Sequence, residues 1–295
     1  MSTTVIVTGA HGQFAQQLIT DQPAHVRLIA FNRAQLDITD AVQVQQCLQH
    51  HRPAWVINAA AYTAVDRAES ETAAAFAVNA EAPGHLAQAA ARIGARMLHL
   101  STDYVFDGQS PRPYRPDDAT APINQYGHSK LAGERKVQAV LGSEALIVRT
   151  AWVYGTTGQN FLHTLLRLMR ERDRISVVAD QIGTPTATPT LSRFIWRAVE
   201  QGLGGLHHCT DAGVASWYDF AQAIYSLAQA QGLVQRAVSI VPISTAQYPT
   251  PARRPACALL DKSSLWEATG LIAPHWRDSL HAVLQAITAP PKAPV

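Results

Sequence analysis

The chain has little of what marks disulfide-bonded, metal-binding or membrane-spanning proteins. Only three of its 295 residues are cysteine, and Cys47, Cys209 and Cys257 lie far apart. This scatter indicates neither a disulfide framework nor a metal-binding knuckle. No segment has the ~20 apolar residues that cross a bilayer, and no basic, apolar leader comes before the strand-like residues 5–7. We therefore expect a cytoplasmic protein with no membrane partner.

Charge of one sign is also scarce. The formal net charge is +2, and the sequence contains no run of like charges. Because nucleic-acid binding normally requires a clustered basic face, we expect no nucleic-acid partner. Hydrophobic residues make up 47% of the chain and charged residues 16%, which is typical of a globular protein. The length suits one larger and one smaller domain.

Short apolar runs alternate with Ala- and Gln-rich stretches of helical spacing. The predicted strands span residues 5–8, 27–31, 55–58, 97–101 and 146–150, and the predicted helices include 41–50, 72–93 and 129–141. This alternation predicts an α/β fold with a doubly wound parallel sheet and helices on both faces. After residue 150 the regularity weakens and prolines cluster, which indicates a smaller C-terminal α/β lobe. The Pro-rich tail from residue 289 is expected to fray.

A glycine-containing turn, T-G-A-H-G-Q-F-A at 8–15, follows the first predicted strand and opens a helix. Gly9 allows a tight turn, and Gly12 lets the backbone approach a pyrophosphate, which the helix N-terminus then attracts. Many ordinary strand–helix turns also carry two glycines, so the motif alone is weak. We interpret it as the dinucleotide-binding loop of a Rossmann-type domain. The expected cofactor contacts in this loop are Gly9, His11, Gly12, Gln13 and Phe14.

The end of the second predicted strand indicates which dinucleotide binds. The run Phe31-Asn32-Arg33 has no carboxylate for a ribose 2′-hydroxyl and one guanidinium for a 2′-phosphate. We therefore expect NADPH, with NADH as the alternative cofactor and a solvent-facing Arg33 as the alternative interpretation. Asp37 and Ile38 fit a loop beneath the adenine. Residues 1–152 are assigned to an NADP(H)-binding domain completed by parts of 187–210, and residues 153–295 mainly to a substrate-binding lobe.

Three polar side chains form the predicted catalytic set. Tyr126 and Lys130 are four residues apart at the start of a predicted helix, which puts both on one face. A lysine ammonium near a phenol is expected to lower the phenol pKa from about 10 and make it a proton donor near neutral pH. Thr102 ends the fourth predicted strand, where α/β sheets bind ligands. Its hydroxyl is placed to hold a substrate carbonyl, or else only caps a turn.

These residues resemble the extended short-chain dehydrogenase/reductase superfamily, whose signature combines Ser or Thr with Tyr-x-x-x-Lys. More narrowly, the chain resembles the dTDP-4-dehydrorhamnose reductase family. The matching stretches run in family order over nearly the whole chain: T-G-A-H-G-Q at 8–13, L-D-I-T-D at 36–40, N-A-A-A-Y-T-A-V-D at 58–66, S-T-D-Y-V-F-D-G at 101–108, Y-G-H-S-K at 126–130, R-T-A-W-V-Y-G at 149–155, I-G-T-P-T at 182–186, S-W-Y-D-F-A at 216–221 and R-P-x-x-x-x-L-D at 254–261.

The resemblance implies that NADPH delivers hydride to C4 of a nucleotide-activated 6-deoxy-keto-sugar, converting dTDP-4-dehydro-L-rhamnose to dTDP-L-rhamnose. Tyr126 would give the proton, Lys130 would hold the nicotinamide ribose, and Thr102 would bond the carbonyl oxygen. It also implies cofactor contacts from the loop after the third strand. The sequence leaves the oligomeric state open, with a homodimer as the expectation because two-fold dimers are the commonest assemblies. The residues that the resemblance adds are Ala59, Ala60 and Ala61 for the cofactor, and Asp103, Tyr104, Trp152 and Arg254 for the substrate. A core tryptophan and a solvated arginine are the alternatives for the last two.

The sequence departs from the family pattern at several positions. Tyr62 stands where many relatives carry His, and Cys257 and Ala258 replace an Asn-Ser pair. Gln17 replaces a Glu that some relatives tie to a divalent ion at a dimer contact. Because the carboxylates form no ligand cluster of their own, we predict no metal.

Two other functions fit the same fold. A sugar-nucleotide dehydratase or epimerase would retain NAD, and dehydratases carry a Glu base where this chain has Tyr104, a poor base at neutral pH. A non-catalytic NADP-binding regulatory subunit, like one partner of methionine adenosyltransferase, would bind cofactor without turnover. Retention of Thr102, Tyr126 and Lys130 argues against it, although intact residues do not prove activity.

Overall fold

A computed structural model of the chain describes residues 3–288. Its centre is a six-stranded parallel sheet, which confirms the predicted α/β fold. The strands are β1 (Thr3–Thr8), β2 (Val26–Phe31), β3 (Trp55–Asn58), β4 (Arg96–Thr102), β5 (Ala145–Thr150) and β10 (Gly205–His208). Their spatial order is β2-β1-β3-β4-β5-β10. The order reverses beside β1, and in such sheets that reversal opens a crevice at the carboxyl ends of the strands.

Helices cover both faces of the sheet. The α-helices of the described residues are α1 (Gln13–Thr20), α2 (Ala41–His51), α3 (Val65–Ala68), α4 (Thr72–Phe76), α5 (Ala82–Ile93), α6 (Gln125–Leu141), α7 (Phe161–Glu171), α8 (Thr188–Glu200), α9 (Trp217–Ala230), α10 (Ser263–Thr269) and α11 (Trp276–Thr288). Of these, α7, α9 and α11 belong to the second lobe. Because side chains alternate along a strand, Val5 and Val7 pack with α1 and α8, whereas Ile6 packs with α2 and α5. The sheet is thus buried on both faces, which explains its continuous apolar strands.

The stretch predicted as one helix over 72–93 is interrupted. A π-helical turn, Ala77–Glu81, lies between α4 and α5. It buries Asn79, whose side-chain oxygen accepts from the Tyr62 N–H at 2.8 Å and whose amide donates to the Ser129 hydroxyl at 3.0 Å. The turn therefore ties the loop after β3 to α6.

The second lobe has its own core around Phe220 and Trp276. Its strands are β6 (Val153–Tyr154), β7 (Arg174–Val178), β8 (Ile182–Gly183), β9 (Thr186–Ala187), β11 (Ala215–Ser216) and β12 (Ser239–Ile243). They form three two-stranded sheets that pair β7 with β12, β6 with β9 and β8 with β11. The lobe boundaries stay a prediction, and the tail from 289 lies outside the described residues. Within residues 3–288 every helix is too short or too polar to span a bilayer.

Candidate active site

A cavity of about 790 Å³ lies at the carboxyl ends of β1 to β5. It brings together the residues expected to bind cofactor and substrate, with one exception, Arg254. The predicted residues that line it are Gly9, His11, Gly12, Gln13, Phe14, Asn32, Arg33, Asp37, Ile38, Ala59, Ala60, Ala61, Thr102, Asp103, Tyr104, Tyr126, Lys130 and Trp152. Their convergence follows from topology, because parallel strands end at one edge of the sheet.

The glycine-containing loop turns between β1 and α1. Gly9 has φ +76°, and a Cβ there would lie 2.8 Å from the Ala60 Cα and backbone nitrogen. Both conditions require glycine. The Gly12 N–H donates to the Gly9 carbonyl at 2.8 Å, and Gly12 begins α1 without a side-chain cap. The first N–H groups of α1 are therefore free to meet an anion.

Gln13 anchors this loop to the second lobe. Its side-chain amide donates to the Val153 carbonyl at 3.0 Å, and its side-chain oxygen accepts from the Asn160 amide at 3.0 Å. Both contacts cross from α1 to segments about 140 residues later in the chain. The loop is thus held from both sides of the cavity.

The end of β2 presents a cation and an amide to the cavity. Asn32 accepts from the Ala34 and Gln35 N–H groups at 2.9 and 3.1 Å, and its amide lies 3.3 Å from the His11 Nε2. The exposed Arg33 follows it. Asp37 is engaged elsewhere: hydrogen bonds from the Thr39 side chain and backbone lower the Asp37 pKa.

Thr102 and Tyr126 come from different elements that are packed tightly together. The Thr102 hydroxyl accepts from the Tyr104 N–H at 3.2 Å and donates to the Asp103 carboxylate at 3.0 Å. The rings of Tyr104 and Tyr126 meet edge to face, with centroids 5.5 Å apart. Gly127 makes this approach possible, because a methyl group there would overlap the Tyr104 carbonyl oxygen.

The start of α6 is fixed by its cap. The Asn124 side-chain oxygen accepts from the Gly127 N–H at 2.8 Å, and the Asn124 amide donates to the Arg253 carbonyl at 2.7 Å. Such a cap satisfies one of the free N–H groups of the first turn. The turn that carries Tyr126 is therefore held to the C-terminal segment as well as to Tyr104.

The protonation of Tyr126 differs from the expectation that Lys130 lowers its pKa. Burial raises the pKa of Tyr126 to about 12, with Thr102 acting in the opposite direction and the Asp103 charge adding to the rise. Lys130 is itself buried, which lowers its pKa to about 8, and its ammonium donates to the Leu100 carbonyl at 2.6 Å. Desolvation therefore dominates the pKa of Tyr126. The phenol stays protonated at neutral pH, as a proton donor must.

Trp152 belongs to the cavity wall. It has φ +47°, and its indole stacks on Trp217 with ring centroids 3.5 Å apart and an interplanar angle of 8°. A Cβ at Gly183 would come within 2.7 Å of the Trp152 ring. Trp217 also lines the cavity; it was not among the predicted site residues, although it lies in the S-W-Y-D-F-A stretch, directly after the Ser216 cap of α9.

The structure places Arg254 outside the cavity lining. Its guanidinium forms two bonds to the Asp66 carboxylate, at 3.0 and 2.8 Å, and also donates to the Ala252 carbonyl at 2.9 Å. It is neither a solvated side chain nor a direct wall of the cavity. The hydrogen bond from Arg254 lowers the pKa of Asp66, so the ion pair persists at neutral pH.

The other departures from the family pattern have defined places. Tyr62 lines the cavity and donates its hydroxyl to Glu71 at 2.5 Å. Cys257 is half-buried and its N–H donates to the Gly108 carbonyl. The Gln17 amide donates to Asp21 at 3.0 Å. Among residues 3–288 no three His, Cys, Asp or Glu side chains are grouped to hold a metal ion.

Known proteins resemble the chain over nearly its whole length. A family model described as the RmlD substrate binding domain matches residues 3–289. The dTDP-4-dehydrorhamnose reductase of Burkholderia thailandensis is 43% identical over 284 residues, covering 92% of this chain and 95% of that protein. The crystal structure of the Bacillus anthracis dTDP-4-dehydrorhamnose reductase with NADP has a TM-score of 0.92 at 39% identity, covering 97% of this chain and all of that one.

A more distant likeness extends to other enzymes of the same fold. The UDP-glucose 4-epimerase of Thermus thermophilus, solved with NAD, has a TM-score of 0.79 at 16% identity and covers 97% of this chain and 99% of that one. At that identity the likeness shows the fold alone. It confirms the Rossmann-type architecture.

Proposed function

The chain belongs to the dTDP-4-dehydrorhamnose reductase family, and we propose that it uses NADPH to reduce dTDP-4-dehydro-L-rhamnose to dTDP-L-rhamnose. It is an NAD(P)H-dependent oxidoreductase of dTDP-rhamnose biosynthesis. The observation that carries the proposal is one cavity lined by both the glycine-containing loop and the groups of Thr102, Tyr126 and Lys130. Cofactor and reacting sugar can meet only where these two sets of residues face the same space.

The residues at one end of the cavity fit NADPH. Gly9 leaves no room for a side chain against Ala60, as expected of the first glycine of a dinucleotide-binding loop, which makes the tight turn. The uncapped start of α1 offers N–H groups to the phosphates, and Arg33 is available to the 2′-phosphate. The NADP in the Bacillus anthracis structure supports this choice. When bound, NADPH supplies the hydride.

The side chains supply the proton and orient the keto group. Tyr126 is protonated at neutral pH and donates its proton to the C4 oxygen as that oxygen becomes an alkoxide. Lys130, on the same helix face, stabilises the resulting phenolate and binds the nicotinamide ribose. Thr102 holds the carbonyl oxygen, which requires its hydroxyl to exchange its present partner, Asp103, for the substrate.

The sugar and its nucleotide contact the remaining predicted residues. Asp103, Tyr104 and Trp152 line the cavity beside the catalytic set and grip the sugar. Stacking on Trp217 holds the Trp152 ring in a fixed orientation for the contact with the sugar. Arg254 reaches the diphosphate only by giving up bonds to Asp66.

A dehydratase is disfavoured by the group at its base position. Tyr104 occupies that position, and burial, together with the Asp103 charge, raises the Tyr104 pKa. It therefore does not accept a proton at neutral pH. An epimerase would return its hydride to the same sugar and leave no net oxidised cofactor, and a regulatory subunit would bind NADPH without turnover.

One experiment separates these functions. The purified protein is given a panel of nucleotide-linked 4-keto sugars with NADPH or NADH, and absorbance of the reduced cofactor is followed. We expect stoichiometric NADPH oxidation with dTDP-4-dehydro-L-rhamnose.

Tyr126→Phe should lower turnover at least ~100-fold with NADPH affinity nearly unchanged. Tyr225→Phe removes a hydroxyl in the second lobe and serves as the matched control. Full turnover in Tyr126→Phe would eliminate the mechanism.

A homodimer and a cytoplasmic location complete the proposal. Homo-oligomers are the commonest assemblies of soluble enzymes, with two-fold dimers leading. Sedimentation equilibrium tests the dimer, and fractionation of cells followed by detection of the chain tests the location.

A further inference from the structure

Glu134 is a buried carboxylate that the proposed reaction does not use. It is 4% exposed, and its partner Arg149 is 3% exposed. The Arg149 guanidinium donates to both carboxylate oxygens, at 2.9 and 2.7 Å, and the Ser101 hydroxyl donates to one of them. Well-packed apolar residues often replace such a buried pair without loss of stability. Stability alone therefore does not account for these charges at this place.

The three residues of this cluster are each next to the catalytic set. Ser101 directly precedes Thr102 at the end of β4, and Glu134 lies one helical turn after Lys130 on α6. Arg149 precedes the last residue of β5, and its guanidinium also donates to the Pro116 carbonyl at 3.1 Å. One carboxylate thus joins the helix that carries Lys130 to the ends of two strands that border the cavity.

The charge of Glu134 acts on Lys130. Burial lowers the Lys130 pKa to about 8, and the Glu134 carboxylate opposes that fall. The other ionisable groups nearby do not replace it. His99 on β4 is neutral, since burial and the lysine charge hold its pKa well below the usual range. Arg149 on β5 is a cation, and Asp103 raises the pKa of the neighbouring tyrosines.

We propose that Glu134 is a positioning residue: its bonds to the Arg149 guanidinium and the Ser101 hydroxyl lock Lys130 and Thr102 into one frame, with its carboxylate one helical turn after Lys130 on α6. The inference rests on the proposed function, because it assigns Lys130 and Thr102 the roles given there. Without the carboxylate, the buried Arg149 guanidinium would lose its anion, and the buried Lys130 would lose a nearby negative charge. Lys130 would then lose its proton at lower pH and would stabilise the phenolate of Tyr126 less.

The test measures Lys130 directly and through turnover. The sequence has four lysines, so the protein labelled with ¹³C-lysine gives few signals, and the Lys130→Arg variant assigns the relevant one. In Glu134→Gln we expect the Lys130 pKa, and the alkaline limb of the kcat profile with NADPH, to fall by about 1 pH unit. Glu134→Asp, which keeps the charge, should restore most of the wild-type value.

The matched control is Glu81→Gln. It removes an exposed carboxylate that is bonded to Lys136, a residue of α6 like Lys130, and should leave the Lys130 pKa unchanged. If Glu134→Gln does not fold, Glu134→Gln combined with Arg149→Met removes the buried guanidinium that has lost its carboxylate and should show the same direction of change. An unchanged Lys130 pKa in the folded Glu134→Gln variant would overturn the inference. If the wild-type protein still turns over its substrate, the proposed function is unaffected by that result. If the wild-type protein turns over none of the keto sugars, but Glu134→Gln lowers the Lys130 pKa, the proposed function is wrong and the role of Glu134 stands.

Discussion

Gly127→Ala adds one methyl group at the point where α6 meets the loop after β4. A Cβ there would overlap the Tyr104 carbonyl oxygen and would lie 3.0 Å from both the Tyr104 carbonyl carbon and the Pro122 Cβ. Carbon atoms pack at about 3.5–4.0 Å, so the first turn of α6 must move by about 0.5–1 Å. That turn carries Tyr126, and the movement shifts its hydroxyl relative to Thr102.

The expected loss is mainly one of turnover. A misplacement near 1 Å costs up to about 100-fold in rate, so we expect kcat/KM to fall about 30- to 100-fold. NADPH affinity should change less than about 3-fold, because the glycine-containing loop is remote from the added methyl. Alanine favours a helix by about 1 kcal/mol, which offsets part of the overpacking cost of about 1–3 kcal/mol.

The assay pairs steady-state kinetics with NADPH titration and thermal unfolding. The control is Gly84→Ala on α5, where the nearest atom to a new Cβ is the flexible Lys136 Cδ at 3.3 Å. Since that side chain can swing aside, we expect full activity and equal or slightly higher stability. Wild-type kcat/KM in Gly127→Ala would refute the claim that α6 is pressed against Tyr104.

Two further predictions concern the cofactor and pH. Arg33→Ala should weaken NADPH binding about 10- to 100-fold and NADH binding less than about 2-fold, with the exposed Arg27 on β2 as the control position; equal losses for both cofactors would contradict the 2′-phosphate contact. Burial raises the pKa of Asp103 to about 7 from 3.8, so ionising it disfavours the folded state as pH rises above about 4. Asp103→Asn should therefore melt at a higher temperature than wild type, by a margin that grows from pH 5 to pH 8 while activity falls. A margin independent of pH would contradict the assignment.

The cavity could be predicted from sequence because its residues follow strand ends. Gly9, Asn32 and Ala59 come directly after three apolar runs, and parallel strands bring such positions to one edge. Tyr126 and Lys130 could be predicted from their spacing of four residues on one helix, together with the Tyr-x-x-x-Lys signature that the sequence shares with its family. Local sequence pattern was enough to predict these residues because the order of parallel strands brings them together.

Other features depend on contacts that local pattern does not show. The π-helical turn around Asn79 adds no break to the helical spacing of 72–93, so the sequence predicts an uninterrupted helix. The partner of Arg254 is 188 residues away. The high pKa of Tyr126 follows from how deeply the phenol is desolvated, which spacing from Lys130 does not report.

The sheet is completed late in the chain, and this has a consequence for synthesis. β10 pairs with the outer edge of β5, and Leu191, Phe194 and Ile195 of α8 cover the face that contains Val5. When only about the first 150 residues have emerged from the ribosome, the nascent chain therefore exposes the open edge of β5 beside an uncovered apolar surface. The nascent chain is most exposed to aggregation and to chaperone capture between the emergence of β5 and that of β10, and truncation anywhere in this interval should yield insoluble protein.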